Sequence, residues 1–245
     1  MKATEDLECS GTGRPFIVGS NSETNQALIF KPDCGNWKCP ACAEKKAKVW
    51  VLDAFRGAGI LQAGGRNVDF VTLTTRGGRG RTRERSINSF RKHWPILRKR
   101  AAYYGGPLEY LAIPEQHKNG VVHLHLLITN ELSKRWWKDN AYLVGLGFMV
   151  AVEPVDHAGE AGLYVAKYLG KQYVHICWPR GFRRARASKG WPRLPAVDRP
   201  EGWHYEVFRD WGAVNWEAHL LTDLGYIVKW SDSATNDKLD STTVL

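Results

Sequence analysis

The sequence predicts an α+β protein: a single antiparallel β-sheet with helices packed on it, preceded by a small N-terminal cysteine-rich segment. Three observations carry this. Four stretches with β-branched enrichment or period-two alternation, VDFVTLTT (68–75), LEYLAIPE (108–115), VVHLHLLI (121–128) and FMVAVEPV (148–155), read as strands. Longer stretches of helical character, 82–106, 132–147 and 160–171, fall between and after them. The second and third strands are joined only by QHKNG, whose Asn-Gly pair is a hairpin signal. The order strand, helix, hairpin, helix, strand, helix is that of a split β-α-β unit.

Residues 1–33 read as irregular, with Gly, Ser, Asn and Pro scattered through them. A helix is expected over 41–60, running into glycines. Strand 68–75 leads into RGGRGR, a flexible basic loop, and then into helix 82–106, where Pro95 should introduce a kink. The last residues, SDSATNDKLDSTTVL, read as a disordered, mildly acidic tail.

Composition narrows the class of partner. The chain has 245 residues, 43% of them apolar, and a formal net charge of +10. The pI of about 9.4 suggests a polyanionic partner, most simply nucleic acid. The N-terminus MKATEDLECSGTG has no signal-peptide character, and no apolar run approaches the ~18–20 residues of a membrane span. Three of the five cysteines crowd into residues 34–42. That pattern favours a reduced, cytoplasmic compartment and a metal site over a disulfide framework.

Strand 121–128 holds two imidazoles in an otherwise apolar run. Alternation puts His123 and His125 on one face, with Val122, Leu124, Leu126 and Ile128 on the other. Residues two apart on a strand are about 6.5–7 Å apart at Cα, close enough for two side chains to converge on one ion. A five-residue hairpin loop pairs Glu115 with Val121 and puts the carboxylate on the histidine face, diagonal to His123. A four-residue loop puts it on the other face. Mixed histidine and carboxylate ligation suits a divalent ion with open positions, Mg²⁺, Mn²⁺ or Zn²⁺. The simpler alternative is a pair of satisfied core histidines.

YVAKYLGK (164–171) stacks Tyr164 and Tyr168 on one helix face, with Lys167 and Lys171 beside it. An ordinary amphipathic helix would look similar. A tyrosine hydroxyl, with a pKa near ~10, becomes a useful nucleophile only toward an electrophile polarised by a metal and a nearby positive charge. The histidine strand and Lys167 would supply both.

These residues resemble the HUH endonuclease superfamily, and within it the rolling-circle replication initiators of phages and plasmids. His123-Leu124-His125 corresponds to the histidine-hydrophobic-histidine motif, FVTLTT (70–75) to the first motif strand, and Tyr164-Val165-Ala166-Lys167-Tyr168 to the two-tyrosine form of the third motif. Glu115 stands where many initiators place an acidic third ligand. The resemblance implies an RRM/ferredoxin-like nuclease fold. It implies Mg²⁺ or Mn²⁺ on His123, His125 and Glu115, and attack by Tyr164 or Tyr168 on single-stranded DNA at an origin, which can carry a hairpin. The product would be a 5′-phosphotyrosine and a free 3′-OH for a host polymerase, and the two tyrosines would alternate to start and terminate replication. A two-tyrosine transposase of the same superfamily would share these motifs. A non-catalytic zinc-containing DNA-binding protein and a zinc-dependent RNA-binding regulator are readings from other classes.

CGNWKCPAC supplies Cys34, Cys39 and Cys42, of which the C-x2-C half is a usual half of a structural Zn²⁺ site. Cys9 is the candidate fourth ligand, with a histidine elsewhere as the alternative. Residues 76–100 hold ten Lys/Arg against one acidic residue, and 178–199 hold seven against one with tryptophans interleaved. Arg79, Arg81, Arg183, Arg184, Arg186 and Lys189 are the candidate DNA contacts, and the tryptophans candidates to stack on bases. The expected organisation is 1–48 as the zinc-bearing segment, 49–230 as the endonuclease domain with a basic C-terminal extension, and 231–245 as the tail. No phosphate-binding G-x-x-x-x-G-K-[ST] loop is present, so a host helicase is the expected partner for unwinding.

Overall fold

The computed structural model describes residues 14–76, 82–117, 121–170, 178, 182–194 and 201–231. The chain divides into two compact units, one formed by 1–43 together with 195–245 and the other by 44–194.

The 44–194 unit contains a five-stranded sheet. Its strands are β3 (Val68–Thr74), β4 (Tyr110–Gln116), β5 (Val122–Thr129), β6 (Val150–Pro154) and the short β7 (Arg186–Ala187), in the order β6-β3-β5-β4-β7 with every pair antiparallel. Without β7 this is the split β-α-β order of an RRM/ferredoxin-like sheet.

The helices are α1 (Pro40–Ala63), α2 (Arg83–Gly105), α3 (Lys134–Leu143) and α4 (Ala158–Gly170). Helix α1 ends at Gly64 and at Gly65, whose φ is +74°, the left-handed stop the glycines predict. Thr82 caps α2 through its hydroxyl, and the helix continues through Pro95. Ile87, Phe90, Trp94, Leu97 and Ala101 recur every three or four residues and bury one stripe of α2. That stripe packs with Trp137 and Ala141 of α3 on Val71, Leu73, Val122, Leu124, Leu126 and Ile128 of the sheet. The expected apolar face of 121–128 is therefore the core face.

Trp137 is fully buried, and its indole N–H donates to Asn130 Oδ1 at 3.0 Å. Asn130 in turn donates to Asp69 Oδ2 at 2.6 Å and to the Leu132 carbonyl at 2.9 Å. Trp137→Ala is expected to destabilise this unit by about 3–5 kcal/mol through lost apolar burial, a cavity and an orphaned amide. Chemical denaturation followed by tryptophan fluorescence checks it.

The other unit corrects two expectations. Residues 16–30 are not irregular: β1 (Phe16–Asn21) and β2 (Gln26–Phe30) form an antiparallel pair, with the Asn21 side chain accepting the N–H groups of Glu23 and Thr24 at the turn. The histidine sheet is also not the sole sheet. Strands β8 (Trp203–Phe208) and β9 (Ile227–Ser231) join β1 and β2 in a second sheet, order β8-β1-β2-β9, with β2 and β9 parallel. Helix α5 (Trp211–Asp223), capped by the Asp210 carboxylate, buries Val214, Ala218 and Leu221 against Val18, Ala27 and Ile29. The expected tail at 232–245 lies outside the described residues. No helix among the described residues is long and apolar enough to cross a membrane.

Candidate active site

The two histidines lie on the face of β5 opposite the core. His123 pairs with Thr74 of β3 and Glu115 of β4; His125 pairs with Thr72 and Ile113. The register corrects the five-residue loop. Glu115 stands directly across from His123 rather than Val121, a shift of two residues, and an even shift preserves the face. Glu115 therefore does share the histidine face.

His125 is the hub. It is buried, its Nε2 lies 2.8 Å from Glu115 Oε2, and its Nδ1 lies 3.1 Å from both Thr72 Oγ1 and the Tyr164 hydroxyl. Thr72 Oγ1 is also 3.1 Å from the Tyr164 hydroxyl, so the three groups close a triangle. Helix α4 brings the tyrosines here by burying Ala161, Val165 and Leu169, one position per turn. Tyr164 then stacks on Phe70 of β3 with centroids 4.0 Å apart, and Tyr168 stacks on the His125 ring at 3.5 Å. Lys167 is exposed, its Nζ 5.4 Å from the Tyr168 ring centre. Lys171 lies outside the described residues.

Burial sets the protonation states. Desolvation, followed by the neighbouring His117 and His125, lowers the His123 pKa to about 4. Desolvation also lowers that of His125, against the Glu115 hydrogen bond that raises it. Both imidazoles are neutral at pH 7, the form that can ligate a metal. Tyr164 and Tyr168 are both raised, chiefly by desolvation, and Tyr164 is the more deeply buried.

A neutral His123 has a consequence for stability. The unfolded chain takes up this proton near pH 6.5 and the folded chain only near pH 4, so the unfolded state binds more protons in between. The metal-free protein should keep its full stability above pH 6.5 and lose it progressively as pH falls toward 4. Thermal melts across that range, with His123→Gln flattening the slope, check the expectation.

Sequence reasoning missed two groups. The His117 ring lies parallel to that of His123 with centroids 4.1 Å apart. Thr72 closes the triangle with His125. Alternation within FVTLTT puts Thr72 and Thr74 on one face, but only the pairing of β3 with β5 decides that this is the histidine face. Among the described residues, the only group of three or more His, Cys, Asp or Glu whose ligand atoms all lie within 4.8 Å of one another is Cys34, Cys39 and Cys42; Glu115, His123 and His125 are more widely spread.

The cysteine group could hold a metal such as zinc. Cys39 and Cys42 are buried at the start of α1, Cys34 is half-buried, and the Sγ atoms of Cys34 and Cys42 are 3.3 Å apart. Zn–S bonds of about 2.3 Å in a tetrahedron place sulfurs roughly 3.8 Å apart, so three thiolates at these spacings suit the ion. The Arg14 guanidinium holds the preceding loop by donating to the carbonyls of Pro32, Asp33 and Cys34. Cys9 lies outside the described residues. About one zinc per chain is expected by elemental analysis. Cys39→Ser/Cys42→Ser should lose it and lower the melting temperature as chelation does.

The basic candidates separate. Arg183, Arg186 and Lys189 are exposed, whereas Arg184 is only 6% exposed, its guanidinium held inside the protein rather than offered to a phosphate. Trp178 and Trp191 are also buried. Trp191 lies over Gly57 and donates to the Asp53 carbonyl at 3.1 Å, so these rings serve packing and not base stacking. Arg79 and Arg81 lie outside the described residues.

The segment from β3 through α4 thus carries both histidines, Glu115 and both tyrosines. Residues 68–173 match a family model of replication-associated proteins, the ORF2 type. Over this segment the chain is similar to replication-associated proteins, which supports a replication initiator of the Rep type. The match starts at the first residue of β3 and includes the whole histidine face and the tyrosine helix. The cysteines and the second sheet fall outside it. No curated protein and no solved structure matches the chain.

Proposed function

We propose that the protein nicks and rejoins single-stranded DNA at an origin through a 5′-phosphotyrosine intermediate, starting and ending rolling-circle replication. The observation that carries this reading is the placement of both tyrosines on His125: one hydroxyl at 3.1 Å from its Nδ1, one ring at 3.5 Å from its own. A metal-ligand candidate and two candidate nucleophiles on one partly buried face, within a segment similar to replication-associated proteins, fit phosphoryl transfer better than packing alone.

The residues suit a divalent ion. His125 Nε2 and Glu115 Oε2 are 2.8 Å apart, close to the roughly 3 Å between adjacent ligands of an ion bound at about 2.1 Å. His123, directly across from Glu115, turns from its stack on His117 to become the third ligand. Mg²⁺ or Mn²⁺ held there would polarise the non-bridging oxygens of the scissile phosphate. A tyrosyl oxygen then bonds to phosphorus as the P–O3′ bond breaks. The tyrosine proton is lost and the departing 3′ oxygen gains one. One phosphodiester replaces another, so joining requires no ATP. Lys167 offsets charge developing on the phosphorus.

The two tyrosines are not equivalent. Tyr164 is the more buried and is held by Thr72 and His125, whereas Tyr168 lies nearer the surface beside Lys167. On this reading Tyr168 makes the first attack and Tyr164 the second. Arg183, Arg186 and Lys189 would hold backbone phosphates, Cys9 would complete the zinc site, and a host helicase and polymerase would unwind and extend the DNA. The test uses single-stranded origin candidates labelled 3′ of the cut. Label that stays on the denatured protein with Mg²⁺ or Mn²⁺ and is absent with chelator supports the reading; binding without cleavage under either metal sinks it.

A further inference from the structure

We propose that the sheet face of the 1–43/195–245 unit that α5 leaves uncovered is a stacking platform for single-stranded DNA, carried by residues outside the histidine and tyrosine site. In the sheet register, Tyr205 of β8, Gly19 of β1, Leu28 of β2 and Lys229 of β9 stand in one row on this face. At roughly 4.8 Å per strand the row is about 14 Å long, enough for two or three nucleotides. Trp203, two residues before Tyr205, shares the face; the two rings have centroids 6.2 Å apart and planes 22° apart.

Gly19 explains how the rings lie. A Cβ there would fall 2.7 Å from Tyr205 Cε1 and 3.2 Å from Trp203 Cε3, so both rings lean over the bare backbone. Rings laid down on a sheet present their π-faces outward, the geometry in which bases stack on a β-sheet. The flanking positions Val207 and Ile227 are 64% and 62% exposed.

Charge selects the occupant. Lys229 is the only charged residue among the twelve positions that the four strands direct to this face, and none is acidic, on a chain of net charge +10. The α5 face, by contrast, carries Glu206. An aromatic, carboxylate-free surface with a lysine at its edge fits unpaired bases and a phosphate backbone. The assignment of DNA rather than RNA rests on the replication reading above.

The test is photocrosslinking of the full-length wild-type chain to single-stranded DNA carrying 5-iododeoxyuridine, with chelator present so that cleavage plays no part. Adducts are mapped by mass spectrometry. Crosslinks at Trp203 or Tyr205 are expected; crosslinks confined to residues 44–194 would overturn the proposal. Trp203→Ala/Tyr205→Ala should weaken binding of an unstructured oligonucleotide by tenfold or more. Tyr205→Phe should leave it near wild type, and Gly19→Ala should weaken it severalfold by displacing the rings. A double variant that melts normally and binds normally, tighter binding of RNA of the same sequence, or a change of oligomeric mass in place of a change in affinity would each sink the platform. Metal-dependent nicking, scored separately on wild type, reports the histidine site: its absence counts against the function proposed above and leaves the crosslink map to decide this one.

Discussion

Replacing both tyrosines by phenylalanine is expected to abolish the covalent protein–DNA adduct, lowering cleavage by at least about 10⁴-fold, while DNA binding and melting temperature stay near wild type. The expected size follows from loss of the only proposed nucleophiles. The fold is spared because the phenylalanines keep the ring contacts: stacking on Phe70 at 4.0 Å and on His125 at 3.5 Å uses the rings and not the hydroxyls. The single variants divide the roles. Tyr168→Phe should suppress the first cleavage far more than Tyr164→Phe, since Tyr164 starts from a buried hydroxyl held by Thr72 and His125. Tyr164→Phe should cleave once and fail to complete strand transfer on a substrate with two origin copies. Rapid-quench measurement of adduct formation separates these outcomes. Equal loss in both single variants would remove the proposed order of attack, and a surviving adduct in the double variant would remove the tyrosine mechanism.

His125→Ala should be nearly as damaging, lowering metal-dependent cleavage by on the order of 10³-fold or more. One ring supports three parts of the site: Nε2 faces Glu115 at 2.8 Å, Nδ1 faces Thr72 and Tyr164 at 3.1 Å, and its face carries the Tyr168 ring. Truncation leaves the Glu115 carboxylate without its partner and Tyr164 without one of its two neighbours. Manganese titration followed by electron paramagnetic resonance should show one site lost in His125→Ala. Glu115→Gln should weaken that site by a smaller factor, since a neutral amide still offers an oxygen. Unchanged manganese affinity in both variants would move the metal elsewhere and end the ligand assignment.

Much of the histidine site was legible in the sequence because its logic is local. Strand alternation alone separates His123 and His125 from the apolar side of β5, and helical periodicity alone sets Tyr164 above Tyr168. Glu115 depended on the length of the hairpin loop. The pairing differed by two residues, yet the face survived, because side-chain direction in a strand depends only on parity. Arg184 and the tryptophans at 178 and 191 were misread for a related reason. Composition identifies a basic, aromatic stretch, but which of its side chains turn inward depends on neighbours distant in sequence, such as Asp53 beneath Trp191.

Taken alone, the sequence determined the order of strands and helices between 68 and 170, the two-faced character of β5 and the spacing of the tyrosines, all of which follow from backbone periodicity within ten or so residues. It could not disclose the second sheet. Strands at 16–30 pair with strands beyond residue 200, and no local pattern encodes which distant edge a short strand will join; loop closure over that span is repaid only once the α5 side is buried. Tertiary structure alone likewise put Thr72 beside His125, His117 against His123 and two aromatic rings over Gly19, because each of these contacts is a matter of register between strands and not of sequence within one.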